Sequence, residues 1–260
     1  MALKDSCQFS IREYRPSDKS AVVWLLQDGI LEHVYPAFFK AMSHPDHVGI
    51  TLSVSMAGYV LGGSSYLLAL LFGGAWAGLI YYCCQEIYQG FLTRRLEADM
   101  ADIQATYLEK PGNGLWVAEA EVRGQAKVVG MVAVLGKEAD QDEGQKVGDC
   151  NGGVVGGARG PEFDPGAGNG CYGEVSHMAV GFGWRRRSVG SQLAQRALEF
   201  CKERGYAHLA LNLSSPQTAA AALTRKLGFV QTASHTHTHA NRWFSKLARI
   251  TAVRMEKITS

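Results

Sequence analysis

The chain has 260 residues, 47% of them apolar, and its 26 Lys+Arg against 24 Asp+Glu leave a formal net charge of +2. That length buries a core without disulfide staples, and six cysteines with no C-x-x-C spacing point to free thiols in a reducing compartment. A charge so close to balance excludes the broad basic field that draws proteins onto nucleic acid, so no nucleic-acid partner is expected.

The opening segment, MALKDSCQFS, lacks the apolar stretch of a cleavable signal. Phe9 to Tyr14 reads as a short strand, and Ser17 is placed to cap a helix whose apolar positions Val22, Leu25, Leu26 and Ile30 share one face. From Val48 to Gln85 no residue is charged, whereas a spanning helix needs about 20 apolar residues. Gly62, Gly63, Ser64 and Ser65 divide this block into a shorter half, 48–61, and a longer one, 66–85. A membrane-embedded hairpin or re-entrant segment fits best; a single span and a buried pair of core helices are the alternatives. Lys40 before the block and Arg94 and Arg95 after it favour both flanks being cytoplasmic, as a hairpin requires. Cys83 and Cys84 close the block and read as small apolar residues ahead of acylation sites.

Beyond the block, Ile87, Phe91, Leu92, Leu96, Met100, Ile103 and Tyr107 recur at mostly three- and four-residue steps and predict one long amphipathic helix. Leu115 to Glu121 and Lys127 to Leu135 form an antiparallel hairpin, with Gly124 available for its turn. Residues 137–173 are rich in Gly, Asp and Glu and predict a disordered or mobile loop. Glu174 to Val180 and Ala207 to Leu213 are strands around a helix from Gly190 to Arg204 that Gly205 caps. A helix from Pro216 to Leu227 ends at Gly228 and a strand starts at Phe229, while Arg242 to Ile258 reads equally as helix or strand. His235, His237 and His239 would share one side of a strand, but no carboxylate completes a zinc site, so no metal is expected.

The richest chemistry lies between His177 and Leu193, where an apolar strand leads through a loop of small and basic residues into a helix. Such a junction offers unpaired backbone N–H groups to an anion at the positive end of the helix, and Arg185, Arg186 and Arg187 add charge-assisted donors for phosphate. Arg185-Arg186-Arg187-Ser188-Val189-Gly190 resembles the R/Q-x-x-G-x-G/A loop with which the GNAT superfamily holds the pyrophosphate of acetyl-CoA. Asp99-Met-Ala-Asp-Ile-Gln, Tyr107-Leu, Trp116-Val-Ala-Glu and Val128-Val-Gly-Met-Val resemble the camello-like N-acetyltransferases, the group of cysteine-conjugate N-acetyltransferases and N-acetylaspartate synthase.

The resemblance implies an α/β (α+β) GNAT fold, a mixed and mostly antiparallel sheet flanked by helices, interrupted by an apolar membrane helical hairpin. On that reading, 1–47 supply the first strand and helix, 48–85 the membrane segment, 86–136 the amphipathic helix and β-hairpin, 137–173 a Gly-rich loop, and 174–260 the acetyl-CoA-binding core. It further implies an enzyme of the endoplasmic reticulum with a cytoplasmic catalytic domain. That enzyme transfers acetyl directly from acetyl-CoA to a small amino acid, a cysteine S-conjugate or a protein lysine. Glu174 is the implied general base. The backbone of Met178, Ala179 and Val180 would hold the pantetheine arm and polarise the thioester, and Asn212 would bind cofactor or substrate. Two departures stand out: Ser188 replaces the first glycine of the loop, and Thr224 lies where many members carry a tyrosine that protonates the departing thiolate. They motivate an alternative, a catalytically weakened membrane-anchored binding protein.

Overall fold

Phe9–Glu13 (β1) opens the sheet in the computed structural model, which describes residues 8–138, 171–235 and 242–259. Four helices follow: α1 (Lys19–Leu31), α2 (Val34–Met42), α3 (Pro45–Leu61) and α4 (Tyr66–Glu97). β2 (Gly114–Val122) and β3 (Gln125–Glu138) form the expected hairpin, with Arg123 (φ 54°) and Gly124 (φ 76°) both left-handed in its two-residue turn, the conformation that matches strand twist. After β4 (Cys171–Val180) come α5 (Val189–Glu203), β5 (His208–Ser214), α6 (Thr218–Lys226), β6 (Val230–His235), α7 (Arg242–Ala248) and β7 (Ala252–Ile258). Among the described residues the strands order as β1-β2-β3-β4-β5-β7-β6, antiparallel except for β4 and β5.

Period-two alternation gives the sheet two faces. On one, Val132, Val134, Leu209 and Leu211 pack beneath Val189, Leu193, Ala197 and Phe200 of α5. On the other, Val117, Met131 and Ala133 pack beneath Val22, Leu25 and Leu26 of α1, with Leu92, Met100, Ile103 and Tyr107 beside them. The mixed sheet flanked by helices is the expected fold class.

Several boundaries differ from expectation. Ser17 does not cap α1; it lies inside a 3-10 turn (Pro16–Asp18), and the buried Asp18 takes the N-cap position because its carboxylate receives the Arg12 guanidinium at 2.7 and 3.0 Å. The long amphipathic helix is also corrected. Its first half is the uninterrupted continuation of α4 out of the apolar block, the helix ends at Glu97, and a single π turn (Gln104–Leu108) carries Tyr107. The break turns Asp99 and Tyr107 towards β4, where both find polar partners. Within the expected loop, residues 137–138 end β3 and residues 171–173 begin β4; the rest of it, 139–170, lies outside the described residues.

The apolar block forms an antiparallel helix pair. Gly58 lets the two helices approach, since a Cβ there would lie 2.7 Å from the Leu68 carbonyl oxygen, and Tyr59 meets Tyr66 with ring centroids 5.2 Å apart near the turn. The α4 helix is long and apolar enough to cross a membrane.

Candidate active site

β4 and β5 begin as ordinary parallel neighbours and then separate. Their pairs are Gly173 with Leu209, Glu174 with Ala210 and Val175 with Leu211, after which no further pair forms. The cause sits on the other side of β4. Opposite β3, Val134 faces Val175 while Ala133 faces His177, so Ser176 is an extra residue, and a bulge of this kind bends its strand. The second half of β4 therefore keeps β3 and loses β5. Gly181 donates its amide to the Val129 carbonyl at 2.8 Å, and alternate residues of a strand address opposite neighbours, so Met178 and Val180 turn their backbone groups into the split. Ala179, expected to do the same, spends its backbone on β3.

The split leads to the start of α5. Ser188 occupies the N-cap with φ 65° and ψ 4° and gives no side-chain cap, and the first amide bonded within the helix is that of Gln192, to the Ser188 carbonyl. The amides of Val189, Gly190 and Ser191 thus point out of the helix with its positive end behind them. Gly190 sits close to the tip of β4, where a Cβ would stand 3.3 Å from Leu223 and 3.5 Å from Met178. The three arginines divide: Arg185 donates to Glu32 at 2.7 Å and to the Val180 carbonyl at 3.1 Å, stapling α1 to the loop. Arg187 lies over the Trp184 ring at 5.2 Å, and Arg186 is exposed with φ 63°.

On the face towards α4 the split is lined by polar side chains. Glu174, 7% exposed, forms an ion pair with Lys137 of β3 and accepts the Asn212 amide of β5 at 3.0 Å, so the carboxylate spans the apex of the split. Tyr107 and Ser176 pair through their hydroxyls at 2.7 Å on the β4 arm, and Tyr88 of α4 pairs with Ser214 at 3.1 Å on the β5 arm. Burial pushes the Tyr107 phenol well above its ordinary range, which keeps its proton in place. His177, 5% exposed, has Nε2 3.3 Å from Asp99, poorly aligned for a hydrogen bond. Burial lowers the pKa of His177, with Asp99 opposing. Burial raises that of Asp99, but His177 and Arg95 together bring it below the ordinary carboxylate value.

Of the residues expected from the sequence, Glu174 and Asn212 meet, and Met178, Val180, Val189 and Gly190 border the same split. Thr224 faces elsewhere: its buried hydroxyl lies 3.1 Å from the Ala220 and Ala221 carbonyls and from Met255 Sδ, bonded back into its own helix. His235 ends β6 exposed, whereas His237 and His239 lie outside the described residues, among which no group of three His, Cys, Asp or Glu gathers. Sequence reasoning missed Lys137, assigned to a loop without chemistry, and gave no role to His177, Ser176, Tyr88 or Ser214. Asp99 was visible only as part of a family-like motif, and Tyr107 as part of another and as an apolar position of the expected helix.

A model of the acetyltransferase (GNAT) family matches residues 81–229. Among curated proteins the chain is 27% identical to human (Homo sapiens) N-acetyltransferase 8B over 86% of this chain and 85% of that one. It is 29% identical to Rattus norvegicus N-acetyltransferase family 8 member 3, over 90% and 89%. Against Homo sapiens N-acetylaspartate synthetase the identity is 26%, over 84% of this chain and 61% of that one. Among solved structures, Arabidopsis thaliana NAA60 in complex with acetyl-CoA aligns with a TM-score of 0.53 at 10% identity, covering 96% of this chain and 98% of that one, a likeness of fold.

Proposed function

The chain belongs to the acetyltransferase (GNAT) family, and from that premise we propose that it is a membrane-bound N-acetyltransferase that moves acetyl from acetyl-CoA to a primary amine. The observation that carries this is the split itself. Strand pairing stops after Val175, leaving the backbone groups of Met178 and the amide of Val180 directed at a gap that ends on the uncapped amides of α5, while Arg185 holds the Val180 carbonyl. The pantetheine arm pairs with that free strand edge, and the pyrophosphate takes the amides of Val189, Gly190 and Ser191 with Arg186 and Arg187 near by. An N–H on the β4 edge polarises the thioester carbonyl and steadies the oxyanion that forms there.

The acceptor approaches from the polar face. Its nitrogen attacks the acetyl carbon and gives its proton to Glu174, which Lys137 and Asn212 hold at the apex. The C–S bond then breaks and the thiolate takes a proton. With Thr224 turned away and burial holding the proton on Tyr107, water entering the split supplies that proton. The acceptor is a small amino acid, a cysteine S-conjugate or a protein lysine. The α3–α4 pair lies in the bilayer of the endoplasmic reticulum with the sheet on the cytoplasmic side. Exposed Leu67, Leu70, Leu71, Leu52 and Val60 on the helix pair support this, because soluble proteins rarely display such a patch.

A second reading, a weakened binding protein, is favoured by the left-handed serine at 188 and the displaced Thr224 hydroxyl. Release of CoA by the detergent-solubilised chain, with acetyl-CoA and a panel of cysteine S-conjugates, aspartate and lysine peptides, separates the two. Turnover on one acceptor, abolished in Glu174→Gln, supports the enzyme; acetyl-CoA binding without turnover on any supports the binding protein.

A further inference from the structure

We propose that α2 and α7 form an aromatic collar that docks on the headgroup layer and limits the α3–α4 pair to a partial insertion from one side of the bilayer; this rests on the membrane reading above. The two helices are far apart in the chain but meet α4 at one level. Tyr81 faces Tyr35 and Phe38 of α2, with ring centroids 5.6 and 5.8 Å away, and Tyr82 faces Phe244 of α7 at 6.1 Å. One turn nearer the tip, Trp76 meets His47 near the start of α3 at 5.9 Å.

The outer surface of the collar is apolar where a soluble helix would be polar. In α2, Val34, Ala37 and Ala41 face inward, yet the outward positions include Tyr35 and Phe39, 61% and 63% exposed, beside Lys40. In α7, Trp243 is 71% exposed and carries the Lys246 ammonium 5.7 Å above its ring. Large exposed rings with the Lys246 ammonium among them match the boundary of acyl chains and phosphates, where the ring sits at headgroup level and the lysine stem reaches the anion; Lys40 instead donates to the Ser215 carbonyl at 3.4 Å. The surface is continuous with the exposed apolar faces of α3 and α4, so one bilayer covers both.

Helix length sets the depth. The 17 residues of α3 give roughly 25 Å end to end, short of the hydrocarbon thickness of about 30 Å. The turn also suits a water-free site: the amides of Gly62, Gly63 and Ser64 donate to the Gly58, Val60 and Tyr59 carbonyls at 3.0, 3.2 and 2.9 Å. The tip therefore stops short of the far headgroups. Tyr88, on the β5 arm of the split, stands seven residues beyond Tyr81 on α4, or about 10 Å. The collar thus holds the acceptor side of the split just above the membrane surface.

The test uses the full chain in sealed vesicles of endoplasmic-reticulum lipids, with the sheet outside. Flotation comes first: a chain that does not float with the lipid overturns the membrane reading itself. In floating vesicles, Ser64→Cys is challenged with a membrane-impermeant maleimide, outside or preloaded inside, against the unsubstituted chain as background. Phe39→Cys carries an environment-sensitive fluorophore. The collar predicts no labelling at residue 64 from either side until detergent is added. At residue 39 it predicts stronger quenching by headgroup-linked than by chain-end nitroxides. Labelling of residue 64 from inside, or equal absence of quenching at residue 39, overturns the collar while leaving the membrane reading intact.

Discussion

The α3–α4 pair and the α4-facing side of the sheet invert the usual placement of residues in opposite senses. Around the helix pair Leu67, Leu70 and Leu71 face outward, each at least 60% exposed. Across the sheet, Glu174, His177 and Asp99 are drawn inward beside Tyr107. An exposed apolar patch needs another medium to cover it, and a buried charge needs a partner or a task. α4 joins the two regions: its apolar turns run towards the tip, and its last turns pack under the sheet with Tyr88 and Leu92.

If the polar side performs the chemistry, Glu174→Gln lowers kcat by about 10²-fold or more while acetyl-CoA affinity is unchanged. Equal loss of both, or no loss, would break the contrast by making the carboxylate structural. If the apolar side lies in lipid, Leu70→Arg, at a position 75% exposed, adds an insertion cost of about 2.5–3.5 kcal/mol. It then releases the chain from membranes under alkaline carbonate without lowering turnover in detergent. Retention on the membrane equal to the parent would mean that the outward leucines face water.

The buried histidine makes the polar side sensitive to pH. Burial lowers the folded-state value of His177 from 6.5, so the unfolded chain takes up the proton first as pH falls. Its contribution is present above about pH 6.5 and declines below it, by up to about 1.4 kcal/mol for each unit of depression. Urea unfolding at pH 7.5 and 5.5 should show a steeper loss in the parent than in His177→Gln. Parallel losses would mean that this ring does not titrate differently on folding. The smallest expected effect is at Ser188, whose left-handed backbone costs about 1 kcal/mol. Ser188→Gly removes that strain and raises stability in urea unfolding by up to about 1 kcal/mol; unchanged stability would mean that the loop carries no strain.

Local chemistry made much of the fold legible. Glycines at 124, 205 and 228 each hold a positive φ at the turn or helix end where the sequence placed them, and the apolar runs between them became strands and helices. The candidate site was readable where it lies along one stretch, from Glu174 to Gly190. What stayed hidden depends on three-dimensional register. The Ser176 bulge is a two-against-one mismatch with β3, which no period in β4 alone reveals. Lys137 meets Glu174 only because β3 runs three residues past its apolar stretch, and Asp99 meets His177 only because α4 stops at Glu97. The reach of Arg185 for Glu32 likewise depends on α1 crossing beneath the loop.

The most direct measurement is amide hydrogen exchange of the solubilised chain with and without acetyl-CoA, which needs no knowledge of the acceptor. With acetyl-CoA in the split, new protection is expected at Met178 and Val180, on the unpaired edge of β4, and at Val189, Gly190 and Ser191, with little change at Ala179, whose amide β3 already holds. Protection confined to other segments, or none at saturating acetyl-CoA, would contradict the assignment of the split as the cofactor site.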